Sequence, residues 1–169
     1  MHILVATDGA LDTEKAAPLV ARLAGEDGTV TVLSVVEIPR RMLTELRAVY
    51  GERPPPSVDA DGEYVGISKD RPPPVGWPGD DAMVERYLAD KRDEVIAPIL
   101  RVLAEAGVSA NGEVLEGENA AAVILAAVKD QAADVICLGS HGSGRFEGLL
   151  GSTGTKVTRH SPCPVLVIR

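Results

Sequence analysis

The sequence predicts an α/β protein: a three-layer, open, five-stranded parallel sheet with helices on both faces. Three observations predict it. Five short aliphatic or β-branched runs recur along the 169 residues, separated by stretches whose apolar residues have helical spacing. Apolar strands that alternate with helices require a sheet covered on both sides. Hydrophobic residues make up 45% and aromatics only 3%, so Val, Leu, Ile and Ala must fill the core. The length suits one domain, residues 1–169, with a proline-rich excursion at about 38–80.

The elements follow in order. Strand one is His2 to Thr7, carried by Ile3-Leu4-Val5-Ala6. Asp12 or Thr13 caps a helix that turns Ala16, Leu19, Val20 and Leu23 toward the core. Pro18 removes a hydrogen bond past the first turn and predicts a kink or a late start. Gly28 ends the connection, and the β-branched stretch Thr29 to Val36 is strand two.

The next segment differs in kind. Pro39, Pro54-Pro55-Pro56, Pro72-Pro73-Pro74 and Pro78 predict an extended excursion, partly polyproline II, with a short helix over Met42 to Tyr50. A structureless loop of this length is functional or disordered. Tyr50, Tyr64 and Trp77 fall within it, where burial would pin it to the body or a ring would stack on a base.

A long helix follows from about Asp81 to Ala106, with Val84, Leu88, Val95, Ile99, Val102 and Leu103 at helical spacing. Pro98 predicts a kink within it, and Gly107 stops it. Ala110 to Leu115 is strand three. Asn119 or Glu118 opens a helix through Val123, Leu125 and Val128. Asp134 to Leu138 is strand four, Gly151 to His160 the last helix, and Pro164 to Ile168 strand five.

The chemistry-bearing pattern begins directly after strand four. Gly139-Ser140-His141-Gly142 is followed, after eight residues, by Gly151-Ser152-Thr153. Glycine permits close backbone approach to a ligand, and a helix start offers orphan N–H groups at its positive dipole end. Ligands in open α/β sheets bind beyond the carboxyl ends of strands, where strand order reverses. Asp8-Gly9 after strand one would converge there with the Gly139 loop. Asp8 reads equally as a turn former, and Ser152 and Thr153 read equally as helix caps. Two familiar phosphate motifs fail. Lys156 comes one position too late after Gly151 for a P-loop, and Gly142, Gly144 and Gly148 miss the dinucleotide spacing.

Composition excludes other classes. A net charge of -8 repels nucleic-acid backbones, and Lys156, Arg159 and His160 sit where a helix C-terminus favours cations. Cys137 and Cys163 form neither a disulfide framework nor a metal spacing, which fits a reducing, cytoplasmic setting. The chain enters its first strand at once, without a signal-peptide pattern, and no apolar run is long enough to cross a bilayer. No membrane or nucleic-acid partner is expected.

Taken together, these segments resemble a known family. Ile3 to Gly9 looks like the first strand of universal stress proteins, and Val32-Leu33-Ser34-Val35-Val36 is similar to their second. Gly139-Ser140-His141-Gly142 through Gly151-Ser152 resembles their ATP-binding signature, and Cys163 to Ile168 their closing strand. The resemblance implies strand order 3-2-1-4-5 and a homodimer paired along Val165 to Ile168. It implies ATP, or ADP or AMP, with or without magnesium, held without dedicated catalysis and without protein ligands to a metal. The implied contacts are Thr7, Asp8, Val35, Gly139, His141, Gly142, Gly151, Ser152 and Thr153. Asp8 would lie near adenosine, the Val35 backbone at the adenine edge, Gly139 and Gly142 by ribose and phosphates, and Gly151, Ser152 and the Thr153 amide on phosphate oxygens. The chain departs from the pattern in a glycine loop one residue shorter and in Gly154 inside the last helix.

Other readings stay open. The chain could be a nucleotide-free interaction module that works through its proline-rich excursion. It could also be a slow ATPase or phosphotransferase, for which Asp8 and His141 are the acid–base candidates and Arg145 a phosphate ligand.

Overall fold

The computed structural model describes residues 1–38, 57–58, 64–65, 78–140 and 150–169. Five strands form the main sheet: β1 (His2–Ala6), β2 (Thr29–Val36), β3 (Ala110–Glu116), β4 (Val135–Gly139) and β5 (Val165–Ile168). Every pairing is parallel, and the order is β3-β2-β1-β4-β5, the 3-2-1-4-5 arrangement expected. The helices are α1 (Thr13–Ala24), α2 (Pro78–Lys91), α3 (Ala97–Glu105), α4 (Ala120–Asp130) and α5 (Ser152–His160).

Side chains alternate across a strand, and here the alternation makes two cores. Ile3, Val5, Val30, Val32 and Cys137 face one side, where they meet Ala16, Ala17 and Val20 of α1 and Ile99 and Leu103 of α3. Leu4, Ala6, Leu33, Ile136 and Leu138 face the other, where they meet Ile124, Ala127 and Val128 of α4 and Val157 of α5. Burial pushes the Cys137 thiol up to about 11, so this group is a small core hydrophobe. At the amino rim, the buried Thr31 hydroxyl is bonded at 2.9 Å to Nε2 of His2.

Several local expectations change. Asp12 is the N-cap of α1, accepting from the Lys15 N–H at 3.1 Å, and the helix runs from Thr13 through Pro18 without a late start. The long helix expected over 81–106 is not one helix. α2 passes into a π-helical turn, Arg92–Ile96, before α3 resumes at Ala97. The Ala97 N–H donates to the Arg92 carbonyl, the wider closure of a π turn. Pro98 lacks the N–H that would continue the α ladder at this point, so the disruption falls on the turn before it. Within the excursion Ser57–Val58 and Tyr64–Val65 pair antiparallel. The helix expected over Met42 to Tyr50, and Trp77, lie outside the described residues.

The chain divides into two compact units, 1–37 with 88–169, and 38–87. In the first, two glycines set how closely helices approach their neighbours. A Cβ on Gly28 would overlap the Ala24 carbonyl oxygen. A Cβ on Gly112, in the middle of β3, would overlap Cγ2 of Ile96 in the π turn. Ile96 is fully buried and has no room to retreat in a close-packed interior. Gly112→Ala is therefore expected to lower the urea midpoint without altering the slope, corresponding to about 1–3 kcal/mol of overpacking.

Candidate functional site

Strand β1 pairs with β2 as far as Ala6–Leu33 and with β4 as far as Ala6–Leu138. Beyond Ala6 the chain turns sharply. The Thr7 N–H still donates to the Leu33 carbonyl at 2.9 Å. The Thr7 hydroxyl then accepts from the Gly9 N–H at 3.0 Å, and Oδ1 of Asp8 accepts from the Ala10 N–H at 3.1 Å. These are hydroxyl- and carboxylate-closed turns, so Asp8 does form a turn, as its residue type allows. Gly9 has φ 96, a conformation that L side chains resist. The corner Asp8-Gly9-Ala10 is exposed, and the buried Leu11 returns the chain to the core.

Gly139, the last residue of β4, pairs with Ile168 at the neighbouring edge. The next N–H, from the buried Ser140, donates to the Ile168 carbonyl at 2.8 Å. Thr7-Asp8 and Gly139-Ser140 thus leave adjacent strands at the same level. They do so where the strand order reverses, the place where such sheets open a crevice.

Val35 contributes through its backbone. Alternate residues of a strand aim their peptide groups at opposite neighbours. The Leu33 carbonyl serves β1 through Thr7, and the Val36 carbonyl serves the β3 side, accepting from Gly117 at 3.0 Å. By that alternation Val35 directs its N–H and C=O toward the β1 side. Its position lies two residues past the end of the β1–β2 pairing, so these groups face the opening left by the Asp8 corner.

The start of α5 is a different element with a different character. Asp12 and Asn119 cap α1 and α4 with side-chain oxygens, whereas Gly151 caps α5 with no side-chain bond. Gly151 is exposed, and a Cβ there would have nothing within 4 Å among the described residues. Ser152 and Thr153 are the first two helical residues and not the cap, which corrects the capping alternative. Ser152 is exposed and Thr153 half-buried. The Thr155 N–H donates to the Gly151 carbonyl at 2.8 Å, and the Thr155 hydroxyl to the Leu150 carbonyl at 3.2 Å.

Gly154, which looks like a weakness inside a helix, has a packing reason. A Cβ there would lie 2.8 Å from Cδ1 and 2.9 Å from Cγ of Leu150, so the glycine seats that side chain against the first turn.

The structure thus groups Thr7, Asp8, the Val35 backbone and Gly139 at the carboxyl edge of three adjacent strands. Gly151, Ser152 and Thr153 form the beginning of α5, where the described residues supply no side-chain cap. His141, Gly142 and Arg145 lie outside the described residues. Among the described residues no group of three or more His, Cys, Asp or Glu is placed to hold a metal ion, and no helix is long and apolar enough to cross a membrane. One neighbour carries no sequence signal: a Cβ on Gly9 would lie 3.7 and 3.8 Å from the two methyls of Val95, which leaves room for a methyl between the Asp8 corner and the π turn.

Comparison with known proteins adds a family. The family model described as the universal stress protein family matches residues 1–169. The chain is 32% identical over 109 residues to universal stress protein MJ0531 of Methanocaldococcus jannaschii, covering 63% of this chain and 64% of that protein. It is 37% identical over 93 residues to universal stress protein YxiE of Bacillus subtilis, covering 50% and 62%. The matches therefore span less than two thirds of those relatives' length. Among solved structures, UspA of Lactobacillus plantarum aligns with a TM-score of 0.60 at 22% identity, over 100% of this chain and 97% of that one. A universal stress family protein of Arabidopsis thaliana with AMP bound aligns with a TM-score of 0.55 at 16% identity, over 99% and 90%.

The Asp8 corner depends on Gly9 for its backbone and not for space, because a methyl there would meet Val95 only at ordinary contact distance. Gly9→Ala is expected to cost about 1–2 kcal/mol in denaturant unfolding, the penalty for an L residue in left-handed backbone. Gly9→Asn, whose side chain tolerates that region better, should lose less.

Proposed function

The chain belongs to the universal stress protein family, and from that premise we propose that it binds an adenine nucleotide at the carboxyl edge of its sheet and acts through binding alone. The observation that carries this reading is the start of α5, where the described residues supply no side-chain cap. Its N-cap is a glycine with no side-chain bond, while α1 and α4 have side-chain caps. Orphan amides at a dipole's positive end favour a phosphate. Solved family structures carry AMP and, in another protein at 19% identity and a TM-score of 0.52, cAMP. Those ligands fit the same combination of a base edge and an anion site.

In this reading the Val35 backbone meets the adenine edge, where one N–H and one C=O can read a donor and an acceptor. Asp8 accepts from a ribose hydroxyl or the adenine amino group, with Thr7 beside it. A carboxylate this close to phosphates would be repelled, so its role is at the nucleoside end or in the outer shell of magnesium. Gly139, His141 and Gly142 pass the ribose and first phosphate, and Gly151, Ser152 and the Thr153 amide take the terminal phosphate oxygens. ATP is the first choice, with ADP and AMP as alternatives, and magnesium would be held through the phosphates. The bound nucleotide stabilises the closed crevice by linkage and biases a conformation or an assembly, which requires no turnover. Both cysteines are free thiols, which suits a reducing cytoplasm.

The assembly we propose is a homodimer paired along Val165–Ile168. β5 is the last strand of the sheet, and Val165, Leu166 and Val167 are all half-buried. An apolar edge strand of this kind invites pairing with a second copy.

Calorimetric titration with ATP, ADP and AMP, with and without magnesium, tests the site. Saturable binding is expected. Asp8→Ala should weaken it about 10-fold or more and Ser152→Ala about 2- to 10-fold, as charged and neutral hydrogen bonds differ. Silence from all three nucleotides at high protein concentration would sink the proposal, and phosphate release that collapses in Asp8→Asn would replace it with an enzymatic one. Light scattering should give twice the chain mass, and a monomer at high concentration would exclude the dimer.

A further inference from the structure

We propose that the Ser34 hydroxyl is a further binding group of the nucleotide site, donating to a ring nitrogen of the base. This rests on the nucleotide reading above and adds to it a contact made by a side chain of β2. Three polar residues are buried among those described: Thr31, Ser34 and Ser140. The Thr31 hydroxyl is bonded to Nε2 of His2 at 2.9 Å, and Ser140 is likewise engaged. Ser34 is 3% exposed, and nothing among the described residues bonds its hydroxyl. A hydroxyl withdrawn from water without a new partner costs free energy, so native proteins keep few of them without a use.

The place of Ser34 on the sheet points to that use. Ala6 pairs with Leu33, and the Thr7 N–H donates to the Leu33 carbonyl, so the next step of the register sets Ser34 beside Thr7. On its other side Ser34 pairs with Val114 of β3. Strand alternation sends the Ser34 side chain to the face of Val30 and Val32, and by the same alternation Thr7 falls on the face of Ile3 and Val5, which is that face too. One row further in, the aligned residues are Val5, Val32 and Gly112, with no polar side chain. On this face hydroxyls enter only in the row at the carboxyl rim, at Thr7 and Ser34. Both neighbours of Ser34 on that rim already belong to the proposed site: Thr7 across the strand gap, and Val35 next in the chain.

The base needs a donor of this kind. An adenine ring has acceptor nitrogens beyond the one on the edge that Val35 reads, and a single Val35 N–H serves only one of them. A carboxylate accepts and does not donate, so Asp8 cannot meet the others. The Thr7 hydroxyl is tied into the corner by the Gly9 N–H at 3.0 Å. The Ser34 proton has no acceptor among the described residues, and a hydroxyl rotates to suit whatever acceptor arrives. A buried donor of this sort also confers specificity, because a base without the matching acceptor leaves it unpaired.

The test combines affinity with stability. Calorimetry measures the adenine nucleotide that wild type holds best, and its 3-deaza and 7-deaza forms, in which a C–H replaces one ring nitrogen. Each is titrated into wild type and Ser34→Ala. Urea unfolding of both ligand-free proteins is followed in parallel. Ser34→Ala is expected to weaken the natural nucleotide about fivefold, the effect of one neutral hydrogen bond. One of the two deaza forms should bind wild type about fivefold more weakly than the natural nucleotide, and Ser34→Ala should not tell those two ligands apart. The ligand-free variant should keep or raise its urea midpoint, because the substitution removes a hydroxyl that has nothing to bond. A hydroxyl with a structural role would give the reverse, a lower midpoint with unchanged affinity, and either result overturns the inference. So does a deaza penalty that is the same in both proteins. Wild-type binding with no loss in Ser34→Ala removes this inference and leaves the nucleotide reading standing. Should wild type bind no adenine nucleotide, that reading falls and the Ser34 contact falls with it.

Discussion

Crossovers between parallel strands are right-handed, and that handedness is the constraint on which the rest of this molecule depends. From β1 the chain steps outward to β2 and then β3, and α1 and α3 pack on one face. It then returns across β1 to β4 and steps the opposite way to β5. Reversing direction with the same handedness sends α4 and α5 to the other face. β1 is left as the central strand, paired on both edges, with Ile3 and Leu4 wholly buried. At its carboxyl end the neighbouring connections depart to opposite sides. A site at Thr7-Asp8 and Gly139 is therefore a consequence of topology before any residue is chosen for chemistry. The residues found there are those that tolerate the position: a glycine with φ 96, a carboxylate and a hydroxyl that close turns, and a glycine at the strand end.

Much of this was legible in the sequence because the signals are local and redundant. Aliphatic and β-branched runs mark β1, β2, β4 and β5, β3 carries only Val114 and Leu115, and Asp12, Asn119 and Gly151 mark helix starts by residue type. What stayed illegible is what depends on pairs distant in the chain. Apolar spacing near 3.6 cannot separate a continuous helix from two helices joined by a π turn, since the pattern on either side survives one inserted residue. Gly112 reads as a poor strand residue, and only the presence of Ile96 reveals why glycine is needed. Gly154 reads as a defect until Leu150 is seen lying on it. Val35 is named only by the family resemblance. A backbone contact leaves no mark on residue type, and its direction follows from strand parity alone.

The proposed reading asks an acidic chain to hold an anion, and that needs a local explanation. The net charge is -8, yet long-range repulsion fades beyond about 8–10 Å at physiological salt. Within that distance oriented amides dominate. A helix terminus carries the equivalent of about half a positive charge, and its N–H groups can bond the ligand at no cost in reorganisation. Capping by a carboxylate or amide side chain would consume that capacity, as Asp12 and Asn119 do for α1 and α4. Gly151 has no side chain to consume it, and Leu150 lies against Gly154 in the first turn.

The two halves of the proposed site are built on opposite physical principles. The α5 half is stiff because a helix is stiff, and its binding groups are part of that helix's own backbone. The Asp8 half is a surface turn, and turns of this size open easily unless something packs against them. Asp8, Gly9 and Ala10 are all exposed, and the first residue after them to reach the core is Leu11. Apolar support for the turn comes from the residue that follows it, where Leu11 joins the core cluster that holds Ala16, Ala17 and Val20 of α1.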